Sequence, residues 1–219
     1  MRTIIFATQK GGSGKSTLAI GLAISAMQDG ERVSILETDP QGTVSNWGLR
    51  RGKPGPGIIR IAYANQLERS LWTLAGHGET LAIIDTSAGA DNAVTTAGIR
   101  AGDLCLLPMR PSVADIEASH PTIRVLRKFD KPFAFVLNQT AARFQAGEAE
   151  PLTKLGVLAL PCIVLRNDHQ NAIAAGLGVS EFAPNGKAAR EIRELWSWAK
   201  QKLDGRSDQG DPVRLTAAG

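Results

Sequence analysis

The chain has 219 residues, 43% of them hydrophobic and 21% charged, an ordinary globular composition that excludes a disordered tail protein and a collagen-like chain. At roughly 100–200 residues per domain, this length holds one large domain or at most two small ones. The formal charge of +4 permits contact with nucleic acid or an anionic membrane and identifies neither.

Taken in chain order, residues 4–8 predict a strand and residues 15–28 a helix, with Leu18, Leu22 and Ala26 on its inner side. Further strands are predicted at 32–37, 57–63, 81–85, 104–108, 133–138 and 157–164, with helical patterns between most of them. The strands are near-continuous apolar runs, not in–out alternations. Such strands separated by helices predict a P-loop-type α/β fold, a mostly parallel, doubly wound sheet covered on both faces. Right-handed crossovers then bring all strand C-termini to one edge, where such sheets bind ligands. The apolar runs at 81–84 and 104–107 are far shorter than the ~18–20 residues of a membrane span. No secretory signal precedes Lys10. Cys105 and Cys162 sit in apolar stretches and read as buried thiols of a reducing cytosol. The last long helix is predicted near 187–203. Residues 204–219 lack apolar periodicity and read as a flexible tail behind a single domain of residues 1–203.

The most informative segment follows the first strand: Gln9-Lys10-Gly11-Gly12-Ser13-Gly14-Lys15-Ser16-Thr17. The ordinary phosphate loop reads G-x-x-x-x-G-K-[ST]. Gly14, Lys15 and Ser16 are in place, but Gln9 stands where the first glycine belongs. The chemistry still fits. Gly11, Gly12 and Gly14 let backbone N–H groups turn inward around phosphate oxygens. The helix that begins near Lys15 aims its positive end at the same anion. Lys15 can reach β- and γ-phosphates, and the Ser16 hydroxyl can ligate Mg²⁺. Lys10 is not needed to hold a triphosphate within one chain.

K-G-G-x-G-K-[ST]-[ST] resembles the deviant Walker A motif of the ParA/MinD ATPases. The resemblance covers residues 1–203 and is nearest to the short plasmid-type ParA partition proteins, which lack an N-terminal operator-reading domain. It implies ATP and Mg²⁺ as cofactors and a homodimer formed on ATP binding, with Lys10 reaching the partner's nucleotide. Lys15, Gly11, Gly12, Ser13, Gly14 and Thr17 would hold phosphates, and Ser16 metal. Glu37-Thr38-Asp39-Pro40-Gln41-Gly42 resembles the family's D-x-D-P-Q segment, so Asp39 would order the attacking water and touch the metal's hydration shell. Glu37 replaces the usual first Asp. The apolar strand ending at Asp85 resembles the Walker B pattern, which makes Asp85 a Mg²⁺ ligand; the family's prolines after it are absent. Asn138 and Pro161 match positions that contact the base, although an Asn after a strand is as often a turn residue.

Three functions fit that family: a partition or positioning ATPase that binds DNA nonspecifically and answers to a ParB-like or other cargo adaptor, a MinD-like membrane-surface ATPase, and a metabolic ligase or reductase. The tail carries Gly205, Gly210 and Pro212 and no bulky apolar face, which disfavours a membrane-binding helix. Cysteines inside strands disfavour an iron–sulfur reductase. Lys187, Arg190 and Arg193 recur at spacing three, a candidate DNA-binding face; a solvated face diluted by Glu191 and Glu194 is the competing reading. The basic run 50–53 reads as a solvated loop. The expected setting is cytoplasmic and nucleoid-associated, with no stable membrane insertion.

Overall fold

A strand built wholly from aliphatic and β-branched residues has no face to offer water and must be covered on both sides. The computed structural model, which describes residues 1–88, 93–143 and 149–205, meets that demand with a seven-stranded sheet. The elements run β1 (Arg2–Phe6), α1 (Lys15–Gln28), β2 (Val33–Glu37), α2 (Thr43–Arg50), β3 (Gly57–Arg60), α3 (Ala64–Gly76), β4 (Leu81–Asp85), α4 (Ala93–Ala101), β5 (Leu104–Met109) and α5 (Val113–Lys128). They continue with β6 (Phe133–Thr140), α6 (Glu150–Thr153), β7 (Val157–Val164), α7 (Asn167–Ala174), α8 (Val179–Phe182) and α9 (Lys187–Leu203). The strand order is β3-β2-β4-β1-β5-β6-β7, and every neighbouring pair is parallel.

Successive residues of a strand serve opposite layers. Ile4 and Phe6 pack with Leu18 and Leu22 of α1, Trp47 of α2 and Ile192 of α9. Ile5 and Ala7 pack with Leu67 of α3, Ile99 of α4 and Leu126 of α5. Each such buried aliphatic or aromatic side chain contributes about 1.5–3 kcal/mol, so the two layers, not helix propensity, hold α1 and α9 in place. Among the described residues, no helix is long and apolar enough to cross a membrane.

The ends of the elements differ from the sequence reading. β1 runs over 2–6 instead of 4–8, because Thr8 already belongs to the loop that wraps the α1 N-terminus. β3 stops at Arg60 instead of residue 63. It is an edge strand, and the Gln66 side chain takes the Ala62 N–H as α3 begins. β6 extends past Asn138 to Thr140. The run 50–53 is not simply a solvated loop. Arg50 ends α2 and donates to the Ile173 carbonyl, while the Arg51 guanidinium pairs with Glu181 and lies 5.0 Å from the Trp47 ring centroid. Of the predicted tail, residues 206–219 lie outside the described residues.

Candidate functional site

The chain leaves β1 toward β2 on one side and later crosses from β4 over β1 to β5 on the other, so a crevice opens at the C-terminal edge beside β1. The phosphate-binding sequence occupies it. Gly14, the N-cap of α1, is left-handed (φ 92°), and a Cβ there would lie 2.2 Å from Asn138 Nδ2. Glycine is therefore required twice at this position, by backbone conformation and by space. No side chain caps α1 and no acidic residue stands in its first turn, so its first amides and its positive end remain open to an anion. Lys15 is buried at the mouth of the loop. Among the described residues, its Nζ bonds to the Thr8 and Lys10 carbonyls, both at 3.5 Å. Burial pushes its pKa down, and the nearby Asp85 and Asp39 charges oppose that fall.

Two carboxylates, Asp85 and Asp39, act on this cation. Asp85 closes β4 with no exposed surface, and among the described residues neither of its oxygens has a hydrogen-bond partner of normal geometry. Burial raises its pKa to about 7; the Ser16 side chain and Lys15 counter the rise, and Glu37 and Asp39 add to it. A buried carboxylate without donors is costly, and a hydrated divalent cation beside Ser16 would remove that cost. Asp85 and Ser16 thus fit Mg²⁺ by charge and by hard oxygen donors. Thr38 donates its N–H to the Asp85 carbonyl at 2.9 Å, which ties the segment after β2 to the same centre. Asp39 is half-buried and turns on itself, its Oδ1 accepting the Gln41 N–H at 2.9 Å.

Glu37 acts differently. Its carboxylate accepts the Val44 N–H at 2.7 Å, the Ser45 N–H at 3.1 Å and the Ser45 hydroxyl. It caps α2, whose own N-cap Gly42 has no side chain. The longer arm of Glu over Asp spans the loop 38–42 and holds it closed.

Lys10 does not join Lys15. Its ammonium turns out of the loop and pairs with Asp115 at the start of α5.

On the other flank, Asn138 and Gln139 at the end of β6 donate to the Ser13 and Gly12 carbonyls at 2.7 and 2.9 Å. They border a cavity of about 70 Å³ with Gly14, Thr17, Arg166 and His169. His169 Nε2 is buried without a partner, and burial lowers the ring's pKa. Asn138 is brought to this cavity. Pro161 is not: it lies within β7, whose lining of the cavity begins only at Val164. Sequence reasoning missed Gln139 and Asp115. Nothing marks the first; the second sits in Ser112-x-x-Asp115, a helix-start pattern whose Ser112 hydroxyl accepts the Asp115 N–H.

Lys187, Arg190 and Arg193 are all exposed along α9. Glu191 turns inward to Arg166 (2.7 Å) and the Val164 N–H (3.2 Å), so it does not dilute that face. Glu194 stays on it, 4.0 Å from Arg190. A cavity of about 590 Å³ lies between Asp29 and Arg193, Trp196 and Lys200 of α9. Asp29 is the C-cap of the 14-residue α1, which places it about 21 Å from the loop, at the opposite edge of the sheet.

Comparison with known proteins agrees with this geometry. The family profile of the CobQ/CobB/MinD/ParA nucleotide binding domain matches residues 4–179. The maintenance of carboxysome distribution protein A of Halothiobacillus neapolitanus is 30% identical over 204 residues, 88% of this chain and 94% of that protein. The cell division ATPase MinD of Pyrococcus furiosus superposes with a TM-score of 0.74 at 17% identity, covering 92% of this chain and 99% of that one. The cobyrinic acid a,c-diamide synthase of Mycobacterium smegmatis, solved with an ATP analogue and magnesium, gives 0.76 at 16% identity over 94% and 97%.

Proposed function

The chain belongs to the MinD/ParA family of nucleotide-binding domains, and on that premise we propose that it is a positioning ATPase whose ATP-bound dimer rides on DNA. It is an ATPase, with ATP and Mg²⁺ as its cofactors. In the proposed cycle, ATP pairs two copies, the pair binds DNA without sequence preference, and a ParB-like or other cargo adaptor stimulates hydrolysis and release. The observation that carries the reading is the divergence of two lysines from one loop. Lys15 is caged inside it, while the Lys10 ammonium stands outside, where its own nucleotide does not need it.

The roles follow from placement. The backbone of Gly11, Gly12, Ser13 and Gly14 cradles phosphate oxygens, with Thr17 beside them. Lys15 neutralises β/γ-phosphate charge and sheds its desolvation cost as it does so. Ser16 and Asp85 would hold the metal, which when bound would supply positive charge against the phosphates. Asp39 orients the water that attacks the γ-phosphorus and accepts its proton as ADP leaves. Lys10 adds positive charge from the partner as charge develops in transfer. Asn138 reads the base; Pro161, within β7, touches it only if the loop after that strand rearranges. Slow basal turnover is expected because the set is incomplete until two copies meet.

Two relatives aligned over at least 88% of both chains are maintenance of carboxysome distribution proteins, which favours a protein body as the cargo over a plasmid. Lys187, Arg190 and Arg193 are the proposed DNA contacts, made to phosphates and so without sequence readout. The test is gel shift with ATP, ADP and a nonhydrolysable analogue, alongside liposome sedimentation. DNA binding that requires ATP or its analogue, without liposome binding, is the expected result. Liposome binding alone selects a membrane-surface ATPase, and neither selects a metabolic enzyme. Asp39→Ala should hold the ATP-bound state on DNA; wild-type turnover in that variant removes Asp39 from the chemistry.

A further inference from the structure

Asp115 is a buried carboxylate at the start of α5 that no step above uses. Its side chain is 1% exposed and collects five donors. They are the Lys10 ammonium, the Arg110 N–H at 3.0 Å, Arg110 Nε and Nη2 at 3.3 Å each, and the Ser112 hydroxyl at 3.0 Å. Burial alone would raise its pKa; the bonds from Lys10, Arg110 and Ser112 outweigh that and hold it well below the usual carboxylate range.

The arrangement is lopsided in a useful way. When one partner of a buried pair leaves, the cost is the charge left behind. Here the departing group is Lys10, whose side chain is 31% exposed and which regains water or phosphate. The group left behind keeps four other donors, two of them from the Arg110 guanidinium, itself 42% exposed and free to tighten. The Lys10–Asp115 pair is therefore exchangeable, unlike a pair whose rupture orphans a carboxylate.

We propose that Asp115 is the positioning residue of Lys10: in the single chain it holds the ammonium in cis, off any nucleotide, and releases it to the partner's phosphates when two ATP-bound copies meet. The inference rests on Lys10 acting in trans. It makes pairing a competition between Asp115 and the partner's triphosphate for one ammonium, so Asp115 sets the concentration at which the dimer forms. Arg110 shares the carboxylate and weakens its hold on Lys10.

The test is sedimentation velocity of the full chain with Mg²⁺ and a nonhydrolysable ATP analogue, across protein concentration. Asp115→Asn keeps the shape and removes the charge; it should lower the half-pairing concentration about a hundredfold, the loss of one charged hydrogen bond in each of the two copies. Arg110→Gln leaves Asp115 to Lys10 and should raise it severalfold. Neither change should alter analogue affinity at concentrations where the chain is single. In a Lys10→Ala background both shifts should vanish, as a double-mutant cycle requires. Unchanged pairing in both variants, or shifts that persist without Lys10, overturns the proposal. If Asp115→Asn loses its far-ultraviolet circular dichroism, Arg110→Gln and its Lys10→Ala double decide alone, since the Arg110 side chain lies outside both core layers. Lys10→Ala separates the two ideas: if it pairs and hydrolyses ATP like the wild type, the trans reading itself fails, whereas a defect there with unshifted Asp115→Asn and Arg110→Gln removes Asp115 only.

Discussion

The two flanks of the α1 N-terminus are built on opposite principles. On the phosphate flank, charges are buried and left wanting: Lys15 has two long carbonyl contacts, and Asp85 has no donor of normal geometry. On the base flank, polar groups are spent on one another. Asn138 holds Ser13, Gln139 holds Gly12 and Arg166 holds Glu191, with His169 Nε2 as the exception, and only about 70 Å³ is left between them. The first flank is preorganised for a metal-bound anion and carries a standing stability cost. The second, as the proposed base site, would have to trade internal bonds for those of a base. Binding energy should therefore come from the phosphates, and the base should tune selectivity.

The largest test of that contrast is Lys15→Ala. It removes the caged cation, and ATP affinity should fall by at least about a hundredfold in calorimetric titration, while thermal stability holds or rises because a desolvated charge has gone. Affinity within a few-fold of wild type would move the phosphates elsewhere.

Asp85→Asn comes next. With metal and nucleotide removed, it should stabilise the fold, because it deletes a buried charge lacking donors. The shift from 3.8 to about 7 corresponds to about 2–4 kcal/mol, or a melting temperature higher by on the order of 5–10 °C for a domain of this size. The sign with pH follows. The folded carboxyl keeps its proton up to about pH 7 while the unfolded one loses it near pH 4, so the wild type loses stability as pH rises through that window. The gap between variant and wild type should open between about pH 4 and pH 7 and then level off. A gap that is flat with pH would show that Asp85 is not strained in the absence of metal. With Mg-ATP the order should reverse, since only the wild type gains from the metal.

Asn138→Ala probes the other flank and should act more gently. If the base binds there as proposed, the variant loses a side chain that would exchange the Ser13 carbonyl for the base, so ATP affinity should drop by about tenfold or less and discrimination against GTP should narrow with it. An effect as large as that of Lys15→Ala would erase the distinction between the flanks.

Much of this was legible in the sequence, and the pattern of success has a physical cause. Apolar strands such as 81–85 and 104–108 announce a sheet covered on both faces because every position is buried. The loop from Gly11 to Ser16 announces itself because backbone chemistry restricts which residues fit. What stayed hidden depends on contacts distant in sequence. Glu37 stands where the family has its usual first Asp, but its target is Ser45 and the α2 N-terminus, which a spacing of two from Asp39 does not reveal. Arg51 read as solvated until Glu181, 130 residues on, closed over it. The burial of Asp115 needed β5 and the phosphate loop side by side.

The smallest expected effect lies furthest from both flanks, on α9. Glu191 is committed to Arg166 at the border of the base cavity, so only Glu194 offsets the row Lys187, Arg190 and Arg193. An exposed pair at 4.0 Å contributes little, and Arg190 is available to a phosphate at small cost. If the row binds DNA, Arg190→Glu should weaken ATP-dependent binding and reduce the slope of log K against log salt by about one to two. Glu194→Gln should strengthen binding modestly, because it removes a like charge facing the phosphates. These are opposite signs from neighbouring residues that touch nothing in the core. If both variants keep the wild-type salt slope, the face is merely solvated, and the bond from Glu191 to Arg166 positions the base cavity and nothing beyond it.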